Sequence, residues 1–476
     1  MILARLLLFL ISLITALFGV YLNSYKILFM SILLLLIHNI VFSLENLRMR
    51  NVFLGFQCTM YIFLIGGLVP NYFRGEALNS EFSIQVNYHI VFTIYLSLLF
   101  VFLGQYVIEN VVFKKSLLKK VDNFGVSDKF HVLLKGNIRS ISRNLYYLLY
   151  APFIFSIIEK VIFVQKMGYL SYYTDFQSQI PSIIRRAGNM TEICLFLFLA
   201  TLPTKKESRI PLLLYIFYGV LAIGYGQRNH LALVLLIIII YSLMRNNLNG
   251  EIWFGKKEFL LTVIGLPFLM SYFAIYQSIR SGTENTFSSF FDAFFGFFEQ
   301  TGGSVKLIGY ADSVDFIFSK ERYYSLFAIT DYLKNNLFSE FFFNFQTFKD
   351  NTIELAQQSN NFAATISYYV TPYNYLQGVG MGSSFLAEVY TDFNYFGVII
   401  ISVFYGIISA CISNINKNKV ILFALALSML RWFLYTPRFT AFAFITEALS
   451  LSNITIIALV YLVSLFSLKR KVQFIR

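Results

Sequence analysis

Long apolar runs alternate with short polar segments along most of the chain. Each run is about as long as the ~20 residues that a helix needs to cross the hydrocarbon core of a bilayer. Because backbone N–H and C=O groups in lipid must be satisfied within their own segment, the runs predict helices. We read twelve spans, at about 2–21, 26–43, 52–70, 87–112, 145–165, 188–203, 210–225, 229–244, 259–278, 393–413, 419–436 and 441–467.

One interval between spans is much longer than the others. It divides the chain into residues 1–278, with about nine transmembrane helices, a large external loop at 279–382, and residues 383–476, with about three more. The sequence therefore predicts an all-α fold, a polytopic membrane helix bundle of about twelve transmembrane helices with one large external loop.

Composition excludes a soluble domain. Of the 476 residues, 57% are hydrophobic and 13% are charged, whereas a soluble domain has about 25% charged residues. The net charge of +13 would indicate nucleic acid on a soluble protein. Here the basic residues lie mainly in alternate loops, so the positive-inside rule explains the charge and we expect no nucleic-acid partner.

The distribution of basic residues orients the chain. With an even number of spans both termini share one side, and the basic tail at 469–471 places that side in the cytoplasm. Loops and termini on this side then contain 23 Lys and Arg residues, against seven in the short external loops. Long loops translocate regardless of charge, so the loop at 279–382 does not count.

Cysteine and histidine give no indication of a metal site. The three cysteines fall in predicted spans and the four histidines are scattered, without ligand spacing: Cys58, Cys194, Cys411, His38, His89, His131 and His230. We expect neither a metal nor a cofactor.

Arginines near the external face are the first candidate functional residues. Arg228 lies in a Gly-rich turn, Arg280 where a span leads into the large loop, and Arg438 in another short turn. Arg431 falls inside a predicted span, an expensive position that usually marks a functional cavity or an ion pair. Arginine presents a rigid fork of donors that matches phosphate, so the four predict a pyrophosphate pocket. Each could instead be an interfacial anchor, and Arg431 could pair with Glu447.

The large loop begins and ends with unusual segments. Seven phenylalanines in the twelve residues 287–298 predict an interfacial helix on the outer leaflet, or a lid helix packed on the bundle. The loop ends in a glycine-rich stretch followed by Glu388 and Asp392, which are four residues apart and share a helix face. Either acid could act as general base toward a sugar hydroxyl, or both could be ordinary charges of a first helical turn. Glu299 is the reserve candidate.

Absent motifs narrow the chemistry. No Asp-x-Asp, Walker loop or GxSxG occurs, so metal-assisted handling of a nucleotide-sugar has no support. An enzyme of this type would use a donor that is already activated, with the leaving group bound by arginine.

The chain resembles the O-antigen polymerases called Wzy, and more distantly the O-antigen ligases. The likeness lies in the architecture and in three segments: GQRNHLAL, the EQTGGSVKLIGYA that follows Arg280, and GVGMGSSFLAEVYTDFNYFGVI. Ligases have a functional histidine near the last segment, where this chain has Ser383 and Ser384 and the whole loop has no histidine. That departure favours polymerase over ligase.

The resemblance implies an inner-membrane glycosyltransferase with both termini cytoplasmic. It would move a growing glycan from undecaprenyl pyrophosphate onto the next lipid-linked repeat unit at the periplasmic face, without metal. Arg280, Glu388 and Asp392 would be its catalytic residues, and Arg228, Arg280, Arg431 and Arg438 would bind the pyrophosphate. Expected partners are undecaprenyl-pyrophosphate-linked glycans and the lipid bilayer, with a chain-length regulator protein as a further candidate. A lipid-linked oligosaccharide flippase or transporter is the alternative, although the halves show no inverted repeat.

The charge asymmetry makes a direct prediction about topology. Reporter fusions at Ser304 and Lys120 should report opposite sides of the membrane, with Ser304 outside, because basic loops stay in the cytoplasm. The measurement is the activity of a side-specific reporter. The same side for both fusions would refute the topology.

Overall fold

The computed structural model describes residues 2–113, 128–246, 250–281, 287–335, 339 and 348–475. Every regular element in these ranges is a helix. In chain order the α-helices are α1 Ile2–Tyr21, α2 Tyr25–Glu45, α3 Leu47–Met60, α4 Val69–Phe73, α5 Ile84–Ile108, α6 Asp128–Met167, α7 Ser171–Thr174, α8 Ser182–Asn189, α9 Thr191–Ala200, α10 Lys205–Ile223, α11 Arg228–Arg245, α12 Lys256–Ser281, α13 Phe290–Thr301, α14 Ser304–Ser313, α15 Phe327–Lys334, α16 Ile353–Gln358, α17 Phe362–Val370, α18 Pro372–Leu376, α19 Phe385–Ser413, α20 Val420–Tyr435, α21 Ala443–Ala448 and α22 Leu451–Ile475. Short π-helical turns follow α3 and α5, at Tyr61–Ile65 and Glu109–Phe113, and 3-10 turns occur at Asp315–Ile317 and Thr436–Arg438.

The polytopic helical bundle expected from the sequence is confirmed, but the count of twelve spans is not. Within the described ranges, nine helices are long and apolar enough to cross a membrane. The predicted spans 52–70, 188–203 and 210–225 are not among them. The first is divided between α3 and its π-turn, and the second contains only the ten-residue α9. The third forms part of α10, which has four charged residues among its first five.

The chain forms two compact units. The first, called unit 1, comprises residues 1–112, 255–413 and 432–443, and the second, unit 2, comprises 113–254, 414–431 and 444–476. In unit 2 the long helix α6 packs against α8, α9, α10 and α22, and α10 packs against α11.

Unit 1 is organised around contact between α5 and α19. A Cβ on Gly104 would lie 2.2 Å from the carbonyl oxygen of Val403, and one on Gly406 would lie 2.1 Å from that of Val101. Only glycine fits at both positions, because the two backbones touch directly. The Ser402 hydroxyl also donates to Ser97 Oγ across the interface at 3.0 Å.

Four largely buried charges join α1, α2, α3 and the π-turn after α5 at one end of unit 1. Arg50 donates to both carboxylate oxygens of Glu109, at 2.7 and 2.8 Å, while its guanidinium lies 3.5 Å from the ring centre of Phe42. Arg5 pairs with Glu45 at 3.1 Å. Each charge in this cluster therefore has an opposite charge beside it, which offsets the cost of removing it from water.

The phenylalanine-rich segment forms a helix, α13, as expected. One face is buried: the ring of Phe298 packs 5.3 Å from that of Tyr61. Phe291 and Phe295 remain exposed on the opposite side. The helix is thus packed on unit 1 and still presents an apolar face; that this face meets lipid stays a prediction.

Helix α19 is broken at Asn394. The residue has φ 51° and ψ −152°, a backbone region that residues other than glycine rarely adopt and that costs about 1–3 kcal/mol. The break separates a first segment, with Glu388 and Asp392, from the apolar segment that the sequence predicts as a span from 393. Strain of this size persists only where the surroundings impose it.

Replacement of Asn394 should show that the break is imposed by the fold. Asn394→Gly should keep the fold and raise stability by about 1 kcal/mol, because glycine adopts this conformation without strain. Asn394→Val should lower stability, because a β-branched residue is disfavoured at positive φ. Thermal unfolding of the purified protein in detergent measures both. Equal melting temperatures for the two variants would contradict the strain.

Candidate functional site

Glu388 lies in the first turn of α19 and is 1% exposed. Ser383 Oγ donates to one carboxylate oxygen at 2.6 Å, and the backbone N–H of Ala441 donates to the other at 2.9 Å. A buried carboxylate is costly unless hydrogen-bonded, and here both oxygens accept bonds. Glu388 therefore joins the glycine-rich end of the loop to the turn that follows α20, within unit 1.

Asp392, one turn further along α19, holds the large loop in place. It accepts backbone N–H bonds from Tyr324 and Ser325, both at 2.8 Å, and a hydroxyl bond from Ser325 at 2.6 Å. Three donors to one carboxylate make an ordered anchor. Glu388 and Asp392 thus share a helix segment, as expected, but they bind different parts of unit 1.

A third polar cluster beside α19 was not anticipated from the sequence. His89 Nδ1 lies 2.8 Å from the hydroxyl of Tyr395, and its ring packs 4.2 Å from that of Tyr390, whose hydroxyl donates to Asp312 at 3.0 Å. The four positions come from α5, α14 and α19. No spacing in the sequence joins them, because the cluster exists only once these helices pack.

Two of the predicted pyrophosphate arginines belong to unit 1. Arg438 ends a 3-10 turn and donates through Nη1 to the carbonyl of Thr301, the last residue of α13, at 3.0 Å. A cation at a helix C-terminus is favourable, because the carbonyls there carry partial negative charge. Arg280, in the last turn of α12, donates to Gln277 at 2.5 Å.

The other two arginines belong to unit 2. Arg431 is 8% exposed and pairs with Glu192 at 3.1 Å; its guanidinium also donates to Tyr218 at 3.4 Å. The hydroxyl of Tyr215 donates to the same carboxylate. The ion pair in the structure is thus with Glu192, and Glu447, the partner considered from the sequence, also interacts electrostatically with Arg431. Arg228 is the first residue of α11.

The convergence of all four arginines in one pocket stays a prediction. In unit 1 Arg438 binds the end of a helix and Arg280 donates to Gln277 in its own helix, and in unit 2 Arg431 forms a buried ion pair. Among the described residues, no group of three or more His, Cys, Asp or Glu could hold a metal ion.

Fold and site together define a polytopic helical membrane protein whose buried charges are held by specific partners. Comparison with known families supplies the identity. Residues 1–471 match the family described as O-antigen polysaccharide polymerase Wzy, so the chain belongs to that family. Membership of this family supports a role for the chain as an O-antigen polymerase in the biosynthesis of lipopolysaccharide and other polysaccharides. No curated protein and no solved structure matches the chain.

The ion pair of Arg431 makes a prediction about stability. Arg431→Met should destabilise the protein by about 3 kcal/mol, because it leaves the Glu192 carboxylate without its counter-charge. Adding Glu192→Gln should restore part of the loss, since Gln keeps an acceptor for Tyr215. Thermal unfolding in detergent is the measurement, with exposed Arg209→Met as control. A single variant as stable as the wild type would refute the structural role.

Proposed function

We propose that this protein polymerises undecaprenyl-pyrophosphate-linked oligosaccharide repeat units at the periplasmic face of the bacterial inner membrane. A hydroxyl of the incoming lipid-linked unit attacks the anomeric carbon of the growing chain, and undecaprenyl pyrophosphate leaves with the bonding electron pair. The observation that supports the proposal most is the family match over residues 1–471. The charge asymmetry between loops supports periplasmic placement of 280–382 and cytoplasmic termini.

The undecaprenyl pyrophosphate leaving group is negatively charged, so its site needs side chains that stay positively charged at neutral pH. Arg228, Arg280, Arg431 and Arg438 are our candidates, because guanidinium groups remain charged and bind phosphate oxygens in pairs. Arg438 supports this assignment most directly. Its side chain is already fixed against Thr301, and that bond uses one of the five guanidinium N–H donors. A donor held in place before substrate arrives costs less to order at the moment of reaction.

The acceptor hydroxyl loses its proton as the glycosidic bond forms, so the reaction needs a base or another group that takes up this proton. Glu388 is our first candidate for this base. Because its carboxylate is buried, the hydrogen bonds from Ser383 and Ala441 must open before it can accept a bond from the substrate hydroxyl. We assign Asp392 a positioning role, because the three hydrogen bonds that it accepts fix the loop segment at Tyr324 and Ser325. Pyrophosphate is a good leaving group, so correct positioning of the acceptor supplies much of the rate.

A reconstitution assay tests the proposal. Purified protein in lipid nanodiscs is supplied with lipid-linked repeat units, and the products are separated by chain length. A polymerase lengthens the glycan on its lipid carrier. A flippase in sealed vesicles moves a labelled unit across the bilayer without lengthening it, and a ligase transfers the glycan only when a different acceptor lipid is added. Adding a candidate chain-length regulator should change the length distribution and not the linkage.

Substitution of Glu388 separates a base from a structural contact. Glu388→Gln can keep both hydrogen bonds, because its carbonyl oxygen accepts from Ala441 and its amide donates to Ser383 Oγ. If Glu388 is the base, Gln should reduce the polymerisation rate by roughly 10²-fold or more without changing the melting temperature. Chain length and rate in the nanodisc assay measure the effect.

Glu388→Ala is the matched control, because it removes both hydrogen bonds. Loss of activity in Ala together with full activity in Gln would show that Glu388 positions the site and does not take the proton. Arg280→Lys in the same assay should reduce the rate although it keeps the charge, since the guanidinium fork is lost.

A further inference from the structure

A polar cleft of about 320 Å³ opens in unit 1 between the turn after α3 and the C-terminal end of α13. Its size lies at the lower end of the ~300–1,000 Å³ typical of small-molecule pockets, which suits a short piece of glycan rather than a lipid. The sequence singled out the reserve acid Glu299 and the segment EQTGGSVKLIGYA in which it lies. The lining residues come from this segment, at 299–306, and from the segment 67–81.

Backbone atoms form the floor of the cleft. A Cβ on Gly67 would lie 2.9 Å from the carbonyl oxygen of Phe298, and one on Gly302 would lie 3.0 Å from Gly67 Cα. The two segments therefore touch through glycine. Directly beside this contact, Arg438 holds the carbonyl of Thr301. The cleft thus lies next to an arginine that we assign to the pyrophosphate.

The rim of the cleft is ordered by its own hydrogen bonds. Asn71 donates to the carbonyl of Leu78 at 3.1 Å, and Lys26 donates to that of Gly75 at 2.6 Å. The Asn79 side chain accepts from the backbone N–H of Glu81 at 3.1 Å. A rim fixed before binding loses little conformational entropy when a ligand arrives.

The charges that line the cleft balance. Arg74 approaches Glu299 to 4.0 Å, and Lys306 pairs with Glu81. Both pairs are well exposed, so each contributes little to stability and can turn toward a ligand. A phosphate would favour a net positive lining and an amine a net negative one. Balanced donors and acceptors fit a neutral ligand with many hydroxyl groups.

We propose that this cleft binds the glycan part of the lipid-linked repeat unit, beside Arg438, which we assign to its pyrophosphate. Glu81 and Glu299 accept hydroxyl hydrogens, and Arg74 and Lys306 donate to hydroxyl oxygens. Bonds with a charged partner are the stronger kind, so a few of them give orientation as well as affinity. The inference rests on the proposed polymerase function.

Gly303 offers a direct test, because it lines the cleft while a Cβ there meets no atom within 4 Å. Its backbone is helical, with φ −55° and ψ −21°, so any side chain is tolerated. Gly303→Met should fill the cleft without disturbing the fold. Gly265→Met in α12, also with no atom within 4 Å of its Cβ, is the matched control.

The probe is the free repeat-unit oligosaccharide, released by mild acid from the lipid-linked precursor of the same cells. Saturation-transfer NMR with the full-length protein in nanodiscs measures its binding. Gly303→Met should weaken this binding by roughly tenfold or more, while Gly265→Met leaves it unchanged. Binding of undecaprenyl pyrophosphate, measured separately, should be the same in both variants.

Unchanged glycan binding in Gly303→Met overturns the proposal, and so does a wild type that polymerises without binding the free glycan. If Gly303→Met lowers the melting temperature, Glu299→Ala is the variant that tests the proposal. Weaker glycan binding by Glu299→Ala at an unchanged melting temperature supports the proposal. Unchanged glycan binding by Glu299→Ala overturns it. Failure of the polymerase function has a different signature. The wild type would then make no polymer but would still bind the free glycan, and Gly303→Met would still weaken that binding.

Discussion

Direct backbone contact between α5 and α19, at Gly104 and Gly406, is the constraint on which unit 1 depends. Between helices in lipid there is no hydrophobic driving force, so close packing and hydrogen bonds must hold them together. The contact fixes α19, and α19 in turn holds the loop through Asp392 and the following turn through Glu388. Glu388 and Asp392 are therefore positioned by two glycines at some distance from them.

Two buried charged residues, Arg431 in unit 2 and Glu388 in unit 1, are compensated in different ways. In unit 2 a full counter-charge, Glu192, balances Arg431, and tyrosine hydroxyls complete the set. In unit 1 the Glu388 carboxylate is held by uncharged donors, among them the Ser383 hydroxyl and the Ala441 backbone N–H. Dipoles compensate a buried charge less completely than an ion does. Burial therefore costs the Glu388 carboxylate more than it costs the Arg431–Glu192 pair.

The sequence predicted what depends on local composition. Apolar runs gave the long helices, and seven phenylalanines gave α13 with one exposed apolar side. It could not predict the partner of Arg431, because Glu192 is 239 residues away and Glu447 is equally plausible from spacing. Nor could it find the His89 cluster or the break at Asn394, since both arise from packing between helices. The count of twelve spans is not confirmed at three places, where a π-turn, a short helix or a charged first turn leaves the apolar helix too short.

The floor of the cleft has a consequence for how such a protein can diversify. A surface built from the backbone of Gly67 and Gly302 does not change when side chains are substituted, and the two glycines cannot be exchanged without separating the segments. Chemical variety is confined to the rim, at exposed positions such as Arg74, Ser80 and Glu81, where substitutions cost little stability. If the cleft binds glycan as proposed, preference for one sugar over another can evolve by substitutions at these exposed positions alone, while the packing of the helices stays the same.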